Sequence, residues 1–152
     1  MDKLNRWLTF GANVGVLAGI VLLIFELEQN REIMRAQTRN ELSVQIVDLL
    51  RDVSTNSQTA SLITQAKNGE VLTPAEATQF RHRAAAMLRY FENVHYQYRQ
   101  GMYDEAEFAA QEDAWRDFMR AGEYVSEWCR IRETFSPDFR AAFDQLMSTH
   151  TC

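Results

Sequence analysis

The chain has 152 residues, a formal net charge of -5, 46% hydrophobic residues and 24% charged ones. That length holds about one compact domain. The mixed, net acidic charge excludes the basic stripe of a nucleic-acid binder, because acidic residues dilute even the densest basic patch, Arg81, Arg83 and Arg89. Only two prolines and six glycines occur, and three of those glycines lie in the first apolar stretch, so the rest of the chain has few helix breakers.

Residues 7–25 carry no charge. As a helix rising ~1.5 Å per residue they span roughly 28 Å, close to the ~30 Å hydrocarbon core of a bilayer. Trp7 and Phe10 stand where an aromatic belt belongs, Lys3 and Arg6 lie outside it, and Glu26 and Glu28 return the chain to water. A cleaved signal peptide needs small residues near its cleavage site, and residues 20–27 have none. The expectation is a single-pass transmembrane helix, with residues 1–27 as tail and span and residues 28–152 as a soluble helical bundle.

Gly11, Gly15 and Gly19 repeat every fourth residue, a double GxxxG that drifts by ~40° per step. Glycine removes side-chain bulk, so a second helix can approach backbone to backbone. Asn13 falls roughly opposite this face, and a membrane-buried amide needs a partner on another helix. Two opposed adhesive faces suit a ring or higher homo-oligomer. For orientation, Lys3 and Arg6 before the span compete with Arg31, Arg35 and Arg39 after it. The positive-inside rule gives a slender majority for a cytoplasmic C-terminal domain.

Beyond the span, residues 26–53 keep helix formers and a rough helical period in Leu27, Met34, Leu42, Ile46, Leu49 and Val53. The helix therefore continues until residues 54–57. A short helix follows over residues 59–67, closed by Asn68 and Gly69. Thr73, Pro74 and Glu76 form a capping box that opens a helix to Gln100, with Phe80, Ala84, Met87, Phe91, Val94 and Tyr98 inward. Asp104 opens the next helix, carrying Phe108, Trp115, Phe118 and Met119 and stopping at Gly122. Residues 125–134 contribute Trp128 and Ile131. Ser136 and Pro137 cap a final helix with Phe139, Phe143 and Leu146 inward. No alternating strand pattern appears, so the fold class is all-α: one N-terminal transmembrane helix running into a small antiparallel bundle.

The densest polar text is Arg89, Glu92, His95, Tyr96 and Arg99. Glu92, His95 and Arg99 share one helix face. Glu-x-x-His is the spacing of di-iron bundles, but that site needs a second such pair, and neither His82 nor His150 has a glutamate three residues before it. The same residues also fit an internal hydrogen-bonded cluster, or a polar interface toward a subunit or small ligand. No phosphate-cradling loop, Gly-x-Ser-x-Gly elbow or HExxH is present. No metal, cofactor or catalytic residue is expected. Cys129 reads as a small packed residue, and pairing with Cys152 requires an oxidising compartment.

The N-terminal helix running into residues 26–39, the stretch 90–101 (Tyr-Phe-Glu-Asn-Val-His-Tyr-Gln-Tyr-Arg-Gln-Gly) and residues 135–140 resemble a family of small uncharacterised bacterial inner-membrane proteins. The resemblance covers nearly the whole chain. It implies a bacterial inner membrane and the same helical layout, and it carries no activity or site residues. The resulting expectation is a membrane-anchored assembly or scaffold protein that is not an enzyme. Its partners would be the lipid bilayer and further copies of itself or another membrane protein, not nucleic acid. A pore subunit, or a small-ligand or enzymatic domain on the Glu92, His95 and Arg99 face, are the alternatives.

Overall fold

A computed structural model describes residues 2–147 and residue 152. Among them there are only helices, as the chain's shortage of breakers requires: α1 (Asp2–Thr55), α2 (Ser57–Lys67), α3 (Pro74–Arg99), α4 (Glu105–Phe118), α5 (Gly122–Ile131), a single 3-10 turn (Arg132–Thr134) and α6 (Pro137–Leu146). The chain divides into two compact units, Met1–Gln37 and Thr38–Cys152.

The first unit is the N-terminal part of α1. It is long and apolar enough to cross a membrane, with a window of mean hydropathy 2.3 of which none is buried. Residues 28–37 are exposed, and so are Leu27 and Met34, which belong to the helical period read from the sequence. The helical period they keep does not bury them. The second compact unit begins at Thr38.

The second unit holds the core. Its helix ends follow local chemistry. The side chain of Thr73 accepts from the Glu76 amide and Glu76 reaches back to the Thr73 amide at 2.8 Å, so the capping box forms as read. Gly69 and Gly101 both have φ +70°, the left-handed conformation that closes a Schellman turn. At the first, Glu70 and Gly69 donate to the Gln65 and Ala66 carbonyls; at the second, Met102 and Gly101 donate to Gln97 and Tyr98. An L side chain at either position would be strained.

Three helix ends differ from the sequence reading in position or in capping. Asn56 caps α2, which starts at Ser57 because its side chain accepts from the Gln58 and Thr59 amides. Helix α4 ends at Phe118, and Gly122 opens α5 rather than closing α4. Ser136 stands at the N-cap of α6, but its side chain makes no capping bond.

The core is aromatic. Phe91 stacks on Trp115 at 5.1 Å between ring centroids, and Phe139 lies within 6.1 Å of Trp115, Trp128, Phe135 and Phe143. Offset and edge-on rings add about 0.5–1.5 kcal/mol per pair beyond area burial. Of the α3 stripe, Phe80, Ala84, Phe91 and Val94 are buried, while Met87 and Tyr98 are partly so; Leu88, Tyr90 and His95 join them inside. A 26-residue helix packed on several sides buries more than one stripe.

The last elements are held covalently as well. Cys129 on α5 is bonded to Cys152 with Cα atoms 5.4 Å apart, the pairing that the sequence reading left open. Trp128 donates to Asp144 at 2.9 Å, and Arg132 pairs with the same carboxylate, tying α5 and the 3-10 turn to α6.

Candidate functional site

Two sites were legible in the sequence, one in each unit. The first is on α1. A Cβ built on Gly11, Gly15 or Gly19 meets nothing within 4 Å, so the glycine face is an open strip of backbone. Asn13 lies across the helix from it, at roughly 100° per residue. It is not alone there. Asp2, Asn5, Arg6, Thr9 and Asn13 border one shallow groove, and the Thr9 hydroxyl donates to the Asn5 carbonyl at 2.9 Å. The sequence reading singled out Asn13 without this stripe, although the spacing 5, 9, 13 places the three polar side chains on one face. The stripe stops at Asn13. Farther along the same face come Val16, Ile20 and Ile24, all exposed and apolar.

The second is the α3 cluster, which divides by partner. Arg89 donates to Glu92 at 2.7 Å and to both the carbonyl and the hydroxyl of Thr134, at 3.0 and 2.9 Å. Its guanidinium also stands 3.9 Å over the Phe135 ring. The second oxygen of Glu92 accepts the Ser136 amide at 2.7 Å, so a carboxylate from another helix satisfies the backbone donor of the α6 N-cap residue. Arg99 pairs with Asp138 in the first turn of α6. Burial pushes the Glu92 carboxyl upward, but the Ser136 amide and Arg89 outweigh it and hold the group below its usual range.

His95 faces inward, only 8% exposed, with its ring near Phe108 and Phe139. Burial and then the Arg99 charge keep its pKa below the usual value, against the opposing pull of Asp138 and Glu92. Tyr96 is 55% exposed and stands apart from the others. The five residues therefore do three things. Arg89, Glu92 and Arg99 brace α3 against the chain around α6, His95 fills core, and Tyr96 faces solvent. Thr134, Phe135, Ser136 and Asp138 complete the brace and were missed as partners, since spacing along α3 says nothing about residues some forty positions away.

Among the described residues no group of three or more His, Cys, Asp or Glu side chains is placed to hold a metal ion. His82 bonds the Thr78 carbonyl of its own helix at 2.8 Å, and His150 lies outside the described residues. No protein-family model, curated protein or solved structure matches this chain.

Proposed function

We propose that the chain is a single-pass membrane protein whose α1 helix assembles copies of itself, with the helical domain carried as the organised cargo. The observation behind this reading is the bare glycine face on a helix with no buried residue across its apolar window. An uncovered apolar helix of this length needs a lipid solvent. In lipid, small-residue faces gain dispersion contacts when a second helix packs on them.

The test is light scattering on the solubilised full-length chain beside Gly15→Leu. The expected result is a discrete multimer that dissociates in the variant. A monomer in both removes the assembly reading, and with it the pore. The pore reading draws on the polar stripe from Asp2 to Asn13, which a ring would turn inward. That stripe gives way to Val16, Ile20 and Ile24, so it lines less than the whole span. Assembly without conduction is the better supported of the two.

The domain is proposed to face an oxidising compartment, which for a bacterial inner membrane is the periplasm. Disulfides do not persist among cytosolic reductants, and the Cys129–Cys152 bond lies within the domain. This reverses the cytoplasmic orientation favoured by Arg31, Arg35 and Arg39 over Lys3 and Arg6, a margin of one charge. In intact cells a maleimide should label neither cysteine until a reductant is added; free thiols in both would restore the cytoplasmic orientation.

A further inference from the structure

Within the second unit, α1, α2, α3, α4 and α5 line a cavity of about 200 Å3. Val53, Ile63, Met87 and Phe118 are among its apolar walls, and three polar side chains join them: Lys67, Arg83 and Tyr124. Apolar walls give water few partners, so such a space favours hydrocarbon. Cavities of about 150 Å3 lined by aliphatic and aromatic side chains take up a benzene-sized molecule. A slightly larger one has room for a short chain of roughly six to eight carbons.

The polar members are all donors. Arg83 is 17% exposed and engages the Asp52 carboxylate and the Leu49 carbonyl, which uses part of its five-donor fork. Burial raises the Tyr124 pKa, with Arg83 pulling the other way and Glu123 reinforcing the rise, so its hydroxyl stays a neutral donor. Lys67 ends α2, is exposed, and has no ion pair among those of the described residues. Asp52 neutralises Arg83, which leaves Lys67 as the cation available to an incoming anion.

We infer that this cavity binds a medium-chain carboxylic acid, its hydrocarbon against Val53, Ile63, Met87 and Phe118 and its carboxylate on Lys67. The site is distinct from the glycine face and from the α3 brace, so it stands or falls independently of the assembly reading. Octanoate is the probe, titrated by calorimetry into the full-length protein in lipid nanodiscs, with protein-free nanodiscs subtracted. One saturable site per chain is expected. Lys67→Gln, an exposed position with no structural partner, should weaken octanoate about fivefold, the equivalent of an exposed ion pair near 1 kcal/mol, and leave octanol unaffected. Ile63→Trp, which fills the space, should abolish binding while the melting temperature holds. Absence of saturable octanoate binding above the nanodisc background overturns the inference. So does octanol binding as tightly as octanoate with no response to Lys67→Gln, an outcome that remains readable even if Ile63→Trp fails to fold.

Discussion

Replacing Glu92 with alanine removes its bonds to the Ser136 amide and to Arg89 in one step. Its bond to the Ser136 amide is charge-assisted and sits at a helix N-terminus, but water can reach it, which sets its contribution at about 1–1.5 kcal/mol. The ion pair with Arg89, half-exposed and three residues away on the same helix, adds only about 0.3–0.5 kcal/mol. The sum is about 1.3–2 kcal/mol. For a unit the size of residues 38–152 that corresponds to a melting temperature lower by roughly 5–8 °C. Scanning calorimetry of the wild type, Glu92→Ala, Arg89→Ala and the double variant apportions the loss. Most of the Glu92 effect should survive in the Arg89→Ala background, because it belongs to Ser136 rather than to the guanidinium. If the Glu92→Ala penalty disappears once Arg89 is gone, the carboxylate is not capping α6. A variant that melts within about 1 °C of wild type refutes the Glu92 part of the brace and returns Glu92 to the surface as a binding residue.

Acid should destabilise the domain in two stages. His95 is held below its usual pKa of 6.5, so an unfolded chain takes up that proton before the folded one does. Its contribution is complete above about pH 6.5 and declines as pH falls from there. Glu92 is held below its usual 4.5, so its stabilisation is present above that pH and is lost further into the acid. Denaturant midpoints across pH 3–8 for wild type and His95→Phe test this: the upper stage should vanish in the variant, and its persistence would assign it elsewhere. Phe139→Ala empties the centre of the ring cluster, where Phe139 is fully buried. It should cost about 3–5 kcal/mol, a large part of a typical domain's 5–15 kcal/mol, and a loss below about 1 kcal/mol by urea unfolding would contradict the packing described. Opening the Cys129–Cys152 bond by Cys129→Ala should cost about 3 kcal/mol, given a separation of 23 residues, measured by the same titration against the oxidised wild type.

Local rules were the readable part of this chain. The capping box at Thr73 and Glu76, the glycine turns at Gly69 and Gly101 and the cap at Asp104 all depend on residues within a few positions, and each formed where the text places it. Gly122 was misread because glycine marks ends and loops alike; here the chain turns through residues 119–121 and restarts on it. Leu27 and Met34 have the period of a packed helix, but periodicity cannot say whether anything packs there. The α3 face that the sequence reads as one polar cluster divides by partner in the fold. Its meaning lay in Thr134, Ser136 and Asp138, whose proximity is a property of the fold. The Cys129–Cys152 bond is of the same kind, since two cysteines allow one pairing and only the fold decides whether residue 152 comes within reach of α5.

The three tryptophans divide the molecule optically. Trp7 is exposed on α1 at the end of the apolar run, whereas Trp115 and Trp128 are each 1% exposed in the aromatic cluster. A brominated lipid should quench the first and leave the other two bright, while acrylamide should reach Trp115 and Trp128 only once the domain opens. A Trp7→Phe chain thus isolates the emission of the domain. The Trp115→Phe, Trp128→Phe pair isolates that of α1, so that the proposed membrane insertion and the unfolding of the domain become two separate signals from one unlabelled protein.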